Sequence, residues 1–303
     1  MAALRPPPED ALSWVPFGPS ELIAACEDGR VLHTRSDIDC FPESDSLFAW
    51  NNVMRLAKTD DHADKHWRLY KSGRPIDLNM MRVLDRSGRL RTDRFESLIE
   101  QGASVMINRL ELKVPEIGRL SRQIEAWTGA YVRVVAIGSP GRAPCMPLHY
   151  DHVDVIAIQM DGDKTWSFYG RPVEGSGIAR RIKDRPQVKT DEIALQKGDC
   201  LFVPAGLHHQ CQPSDGSLHL ALNLKWPTVM DFAPDLVKQR PNDLSLLEPI
   251  RTYRSPERVD CLLDQLSEFD ELRLRQDEIK EFLQGWPGHC AERWRVSNLG
   301  EFY

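Results

Sequence analysis

The sequence predicts a mainly β core with α-helices before and after it in the chain. From about Ala103 the residues form short runs rich in Val, Ile and aromatic side chains, separated by Gly and Pro, which is typical of an all-β sandwich or barrel. Before this segment, and again after Trp226, apolar residues recur with helical spacing. We therefore divide the chain into a mixed, mostly helical N-terminal region (1–102), a β core (103–228) and a helical C-terminal region (229–303).

The predicted helices and strands follow this division. Three short helices are predicted over Glu21–Cys26, Leu47–Ala57 and Arg94–Gln101, with the polar stretch DDHADKHWRLYKSG as a connection. In the core, one helix, Pro115–Thr128, is expected among the strands. The seven candidate strands are SVMINRL, AYVRVVAI, DVIAIQM, KTWSFY, EIALQ, CLFVPAG and LHLALNLKW.

The C-terminal region contains an amphipathic helix, predicted over Pro256–Gln284. Its apolar residues recur at intervals of three and four positions, which places them on one face. This face either packs on the core or mediates homodimerisation, and the sequence leaves both alternatives open. The residues of the apolar face are Val259, Leu262, Leu263, Leu266 and Phe269.

The bulk composition is that of a globular protein. Of the 303 residues, 41% are hydrophobic and 28% are charged. The net charge of -6 argues against broad nucleic-acid binding, which needs a dense Lys/Arg surface. The seven cysteines form no CxxC pair, no segment reaches the ~18 apolar residues of a membrane span, and the N-terminus lacks a secretion pattern. We expect a cytoplasmic protein that binds neither membranes nor nucleic acid broadly.

The segment PLHYDHVDVIAIQMDGDKTWSFY contains a candidate metal site. In an extended strand alternate side chains share a face, so His149 and Asp151 would point the same way, while Tyr150 would point away. A pair of this kind often arises by chance, and the interpretation therefore depends on a third ligand. The segment LQKGDCLFVPAGLHHQCQP offers one, because its PAG turn presents the pair His208 and His209.

Two imidazoles and one carboxylate form the facial triad of non-haem Fe(II) oxygenases. This ligand set leaves three coordination positions free, which suits redox chemistry better than a structural zinc site. The spacing of the residues alone does not distinguish His208 from His209 as the third ligand.

Together, these motifs resemble those of the JmjC, cupin-fold oxygenases, over the segment from about Ala103 to Pro227. Within that superfamily the segment is most similar to the ribosomal-oxygenase branch of protein hydroxylases. The resemblance implies a double-stranded β-helix (cupin or jelly roll) with the metal between its two sheets. It places the HxD motif of the family on His149 and Asp151, and the distal histidine of its PxGxxH pattern on His209.

The resemblance also assigns two residues to the cosubstrate. The family carries a lysine thirteen positions after the metal Asp, within a G-x-K-x-W pattern, and this is Lys164 in DGDKTW. It pairs with the far carboxylate of 2-oxoglutarate, which is physically reasonable because an unpaired buried carboxylate is costly. An Asn in the last core strand matches Asn223 in LALNLKW.

The surroundings of these residues leave alternatives open. The alternation in LHLALNLKW is expected if Asn223 faces the site, but an edge strand with a solvated face would show the same pattern. Trp166 either lines the pocket or packs in the core, and His219 is expected to lie apart from the site. In the ribosomal-oxygenase branch Asn and Tyr usually stand where this chain has Val135 and Ile137.

The resemblance implies a dioxygenase that uses Fe(II), 2-oxoglutarate and O2 to hydroxylate a side chain of a protein or peptide. A peptide natural product is a variant of the same substrate class. The alternatives are a small-molecule hydroxylase with the same cofactors and a non-catalytic, ligand-binding cupin. Demethylation of N-methyl-lysine is characteristic of other JmjC branches.

Overall fold

The computed structural model describes residues 14–35, 48–170 and 188–226. The α-helices are α1 (Pro19–Asp28), α2 (Trp50–Thr59), α3 (Ala63–His66), α4 (Thr92–Glu100) and α5 (Pro115–Thr128), and a 3-10 turn spans Leu110–Leu112. The strands are β1 (Leu32–Thr34), β2 (Trp67–Lys71), β3 (Arg74–Ile76), β4 (Ser104–Ile107), β5 (Tyr131–Ser139), β6 (Asp154–Phe168), β7 (Asp191–Leu195), β8 (Cys200–Val203) and β9 (His209–Lys225).

These strands form one nine-stranded sheet in which each recorded strand pair is antiparallel. The strand order is β1-β8-β6-β9-β5-β4-β2-β3, and β7 pairs with the second half of β6. The two longest strands, β6 and β9, pair along most of their length and lie at the centre of this arrangement. The predicted mainly β core is confirmed.

The two faces of the central strands bury different clusters. Ile156 and Ile158 of β6 join the alternating leucines of β9 in one cluster, which also contains Ile117 and Ile124 of α5 and Val53 of α2. The opposite face carries a second cluster that includes residues from β5, β6, β8 and β9. The helices therefore cover one face of the sheet, and the other face encloses the pocket described below.

Helix α5 has the bounds predicted for it, and its ends explain why. Pro115 occupies the first turn, where its missing N–H costs no helical hydrogen bond. Gly129 ends the helix in the left-handed conformation (φ 76°), and its N–H donates to the carbonyl of Glu125. The helices predicted at Glu21–Cys26, Leu47–Ala57 and Arg94–Gln101 are also observed, with shifted ends, as α1, α2 and α4.

Strand β6 differs from the prediction, because DVIAIQM and KTWSFY belong to one strand rather than two. The pairing with β9 is interrupted by register shifts between Gln159 and Asp161 and between Gly162 and Lys164. Gly162 has φ 59°, and a Cβ there would lie 2.1 Å from the carbonyl oxygen of Gly216. Only glycine permits this approach of the two backbones without rearrangement.

The shifts decide which side chains of β6 face the pocket. Val155 lines it from an odd position, whereas Lys164 and Trp166 line it from even positions. Uninterrupted alternation would have placed Lys164 on the opposite face from Val155. The irregular segment around Gly162 is therefore what directs Lys164 into the interior.

The N-terminal region contributes strands as well as helices to the structure. β1 pairs with β8, and β2 pairs with β4, so both extend the sheet of the core. Both α3 and β2 lie within DDHADKHWRLYKSG, which was predicted to be a connection, and that prediction is wrong for residues 63–71. The predicted C-terminal helix, Pro256–Gln284, lies outside the described residues. Among the residues that are described, none of the helices has the length and apolar character needed to cross a membrane.

Candidate metal centre

Three side chains that could hold a metal ion meet at one end of the pocket. Ligand atoms of His149, Asp151 and His209 all lie within 4.8 Å of one another. The carboxylate of Asp151 approaches both imidazoles, with Oδ1 3.9 Å from Nε2 of His149 and Oδ2 3.6 Å from Nε2 of His209. The structure thus brings together the three residues that the motifs singled out.

Backbone hydrogen bonds between the two ligand segments, rather than the alternation of side chains along a strand, produce this arrangement. The HxD segment precedes β6 and is not itself a regular strand, contrary to the geometry predicted for it. His149 and His209 form an isolated antiparallel bridge, in which each N–H donates to the carbonyl of the other residue at 3.1 and 2.8 Å. The N–H of Gly206 donates to the carbonyl of Asp151 at 2.8 Å. The two ligand segments are therefore hydrogen-bonded to each other.

A buried carboxylate holds the turn before His209 against β6. Oδ1 of Asp154 accepts the N–H of Ala205 at 2.7 Å, and Oδ2 accepts the indole N–H of Trp226 at 2.7 Å. Ala205 belongs to the PAG turn, and Asp154 begins β6 three positions after Asp151. Hydrogen bonds that a carboxylate accepts from neutral N–H donors are stronger than those between neutral groups, so this contact fixes both ligand segments relative to the sheet.

The hydrogen bonds of the two imidazoles leave one nitrogen of each free for a metal. Nδ1 of His149 lies 2.9 Å from the carbonyl of Pro147, and Nδ1 of His209 lies 2.9 Å from that of Leu207. A carbonyl only accepts, so each Nδ1 carries the proton and each Nε2 has a free lone pair. Nε2 of His149 is buried and has no hydrogen-bond partner among the described residues. The donor set therefore fits a divalent metal.

The surroundings of His209 keep its ring neutral and fixed. Burial, followed by the neighbouring His149, lowers the pKa of His209 to about 4. The ring of Trp166 stacks on it, with centroids 5.2 Å apart and planes inclined by 27°. Because only the neutral imidazole can donate a lone pair, His209 is ready to bind a metal at neutral pH.

The side chain of His208 lies outside the ligand cluster. Its backbone N–H and Nδ1 both lie near the carbonyl of Gly170, at 3.0 and 3.2 Å, and its ring packs against Tyr150. The ring of His208 is not among the ligand cluster, whereas that of His209 is. Consecutive residues of an extended segment point to opposite faces, which accounts for the difference.

The pocket extends from the ligand cluster to Lys164. The lining residues come mainly from β5, β6 and β9 and from the segment before β6. They are Val135, Ile137, Cys145, Met146, His149, Asp151, Val155, Lys164, Trp166, His209, Cys211, His219, Ala221 and Asn223. Asn223 thus faces the pocket from β9, with Nδ2 3.5 Å from the carbonyl of Arg133. Trp166 lines the pocket as well as packing in the core.

Lys164 is a buried cation inside the pocket. Its side chain is among the largest fully buried ones, and burial lowers its pKa to about 8, although the thiols of Cys211 and Cys145 act in the opposite direction. Nζ lies 2.7 Å from Nδ1 of His219. In the part of the chain that the structure describes, no carboxylate forms an ion pair with Lys164. A buried ammonium of this kind is suited to an anionic ligand.

His219 was expected to lie apart from the site, and this prediction is wrong. The residue is 3% exposed, lines the pocket and contacts Lys164. The same alternation that places Asn223 on the pocket face of β9 also places His219 and Ala221 there. The sequence thus contained the signal, but His219 matched no family motif and was disregarded.

A family model described as the JmjC domain matches residues 111–232. This segment is therefore similar to JmjC domains. This confirms the resemblance that the HxD, G-x-K-x-W and PxGxxH patterns predicted. The JmjC segment contains each of the metal-site and cosubstrate residues named above: His149, Asp151, Lys164, His209 and Asn223.

Two known proteins resemble the chain over more residues than this segment. Mouse ribosomal oxygenase 2 is 24% identical over 229 residues, which are 74% of this chain and 42% of that protein. The bifunctional lysine-specific demethylase and histidyl-hydroxylase NO66 of Aedes aegypti is 25% identical over 192 residues, 58% of this chain and 29% of that protein. The chain therefore spans less than half the length of these two relatives.

A solved structure shares the fold. The Escherichia coli ribosomal oxygenase YcfD, in complex with cobalt and 2-oxoglutarate, superimposes with a TM-score of 0.50. The sequences are 15% identical, and the match covers 84% of this chain and 66% of that one. The predicted cupin-type JmjC fold is thereby confirmed.

Proposed function

We propose that this protein is an Fe(II)- and 2-oxoglutarate-dependent oxygenase that hydroxylates a side chain of a protein or peptide. The observation that carries the proposal is the combination of two sites in one pocket. One is the ligand set of His149, Asp151 and His209, and the other is the buried ammonium of Lys164. A facial triad without a buried cation would suit many metal-binding cupins. A facial triad together with a buried ammonium suits a dicarboxylate that chelates the metal at one end.

The residues of the chain have distinct parts in this activity. His149, Asp151 and His209 would hold the iron through two Nε2 atoms and a carboxylate oxygen, leaving coordination positions for the cosubstrate and O2. Lys164 would bind the far carboxylate of 2-oxoglutarate, and the apolar side chains of Val135, Ile137 and other lining residues would exclude water. Iron bound there would supply the oxidation, in which one atom of O2 enters the substrate C–H bond and the other enters succinate as 2-oxoglutarate loses CO2.

The relatives support a macromolecular substrate. Their names describe ribosomal oxygenases and a histidyl-hydroxylase, so a histidine of a ribosomal protein is the first candidate. A peptide natural product under modification belongs to the same class. A small-molecule hydroxylase with the same cofactors is the alternative enzyme. A non-catalytic cupin is disfavoured, because the ligand set and Lys164 are both present.

The proposal is tested by adding Fe(II), 2-oxoglutarate and O2 to the full chain and measuring succinate. We expect succinate release above that of a His149→Ala control, stimulated by the right peptide. Mass spectrometry of histidine-containing ribosomal peptides should then show the addition of one oxygen atom. If the wild-type protein binds iron but releases no more succinate than the control with any peptide or small molecule tried, the proposal fails.

We also propose, from the sequence alone, that the C-terminal region supports homodimerisation of a cytoplasmic protein. The spacing of Leu262, Leu263, Leu266 and Phe269 would give two copies matching apolar faces, as a twofold interface requires. Sedimentation at micromolar concentration should therefore show a dimer, and Leu266→Glu should convert it to a monomer. A monomeric wild-type chain would contradict this proposal.

A further inference from the structure

The ammonium of Lys164 has a polar partner that no family motif predicts. Nζ of Lys164 lies 2.7 Å from Nδ1 of His219, and the side chains of Lys164 and His219 are 2% and 3% exposed. They come from neighbouring strands, β6 and β9, on either side of the irregular pairing around Gly162. Within the described residues the ammonium makes no other hydrogen bond, so its remaining N–H groups are available to a ligand.

The direction of this hydrogen bond is fixed by the chemistry of the two groups. An ammonium only donates, so Nδ1 of His219 accepts and the ring carries its proton on Nε2. Burial, and then the positive charge of Lys164, keep the pKa of His219 well below its ordinary value. His219 therefore stays a neutral acceptor and does not compete with Lys164 for an anion.

Near Lys164 the pocket also holds the thiols of Cys145 and Cys211, which are weaker hydrogen-bond acceptors than an imidazole nitrogen. The β5 wall contributes the apolar side chains of Val135 and Ile137. Trp166 lies between the two ends of the pocket, since its ring contacts His219 with centroids 5.7 Å apart and stacks on His209. A lysine side chain has four rotatable carbon–carbon bonds, so the position of its charge depends on what its head group contacts.

We infer that His219 is the positioning residue for Lys164. Because His219 accepts a hydrogen bond from one of the three N–H groups of the ammonium, it directs the other two into the pocket and sets the place where the far carboxylate of the cosubstrate binds. This inference rests on the proposed function, because it assigns the ammonium to 2-oxoglutarate. It makes His219 a determinant of cosubstrate affinity that contacts neither the metal nor the reacting carbon.

Two substitutions separate this role from a purely structural one. His219→Leu removes the acceptor and keeps an apolar side chain of moderate size, whereas His219→Asn keeps an amide oxygen at about the place of Nδ1. Isothermal titration of 2-oxoglutarate into the full, cobalt(II)-loaded chain without O2 measures binding in the absence of turnover. We expect His219→Leu to raise the Kd for 2-oxoglutarate by about ten- to a hundredfold, and His219→Asn to raise it several times less.

The metal affinity, the thermal stability and kcat are expected to stay near their wild-type values. The affinity for cobalt(II) alone and the midpoint of thermal unfolding should change little in either variant. With Fe(II) and O2, His219→Leu should raise the KM for 2-oxoglutarate and leave kcat within about twofold, which is the pattern of lost ground-state binding.

The outcomes distinguish the inference from the function on which it rests. If wild type and His219→Leu bind 2-oxoglutarate equally, or if Leu and Asn weaken it equally together with cobalt, His219 does not position Lys164. If the cobalt-loaded wild type binds no 2-oxoglutarate, the proposed function is overturned as well. Rescue by Asn with unchanged cobalt affinity supports the inference.

Discussion

Replacing His149, Asp151 or His209 by alanine is expected to abolish metal-dependent turnover while the chain stays folded. Each residue supplies one of three protein ligands, and the loss of even an outer hydrogen-bond partner of a ligand costs ~10–100-fold in metal affinity. The loss of a ligand itself should therefore weaken iron binding by more than about a hundredfold. The measurements are the Kd for Fe(II) or cobalt(II), succinate release, and circular dichroism to verify the fold.

The matched control for His209→Ala is His208→Ala. The two histidines are adjacent, but the ring of His208 lies against Tyr150, outside the ligand cluster. His208→Ala should leave the metal affinity within about threefold of wild type, since it removes no ligand and no partner of one. The ligand assignment would be overturned by the reverse result, in which His208→Ala is inactive and His209→Ala is not.

Local signals in the sequence account for the parts of the fold that were predicted well. Helix α5 is marked by Pro115 at its start and by Gly129 after its end, and both act through the backbone of the helix itself. The leucines of β9 alternate because one face of that strand is buried against the helix-covered cluster. Such signals need no knowledge of the rest of the chain.

Features that depend on a distant partner were missed. The continuity of β6 depends on Gly162, which has no Cβ and can therefore adopt a φ of 59° and lie directly beside the backbone of Gly216. The sequence shows a Gly between two polar residues, which is typical of a turn. Strand β2 was missed because only Trp67 and Leu69 alternate as buried residues in a polar stretch.

The metal site was predicted by residue type and spacing, although its geometry arises differently. His149 and Asp151 were expected to point the same way as alternate residues of a strand. They meet instead because the bridge between His149 and His209 and the hydrogen bond from Gly206 hold the two segments together. These are backbone contacts between positions 60 and 55 residues apart, which side-chain patterns cannot reveal.

Replacing Lys164 by alanine should raise the half-saturating concentration of 2-oxoglutarate by about two to four orders of magnitude. The chelating end of the cosubstrate is held by the metal, but its far carboxylate is taken out of water in the pocket. Without the ammonium that carboxylate is left buried and unpaired, at a cost of ~3–5 kcal/mol. Lys164 lines the same pocket as the ligand cluster and is 2% exposed, so bulk water cannot take its place.

The metal affinity of Lys164→Ala should remain near that of wild type, because Lys164 supplies no metal ligand. Lys164→Arg should restore part of the cosubstrate affinity, since it keeps the charge although its planar head group differs in shape. Lys65→Ala, which removes an exposed lysine, is the control for the loss of a positive charge alone.

A titration of 2-oxoglutarate against these variants, followed by succinate release, separates a 2-oxoglutarate enzyme from other metal-binding cupins. The expected order of half-saturation is wild type, equal to Lys65→Ala, then Lys164→Arg, and last Lys164→Ala. Equal half-saturation of wild type and Lys164→Ala would mean that the buried ammonium does not bind the cosubstrate. The assignment of 2-oxoglutarate would then lose its main support, and with it the role inferred for His219, whereas the metal site would stand on its own ligands.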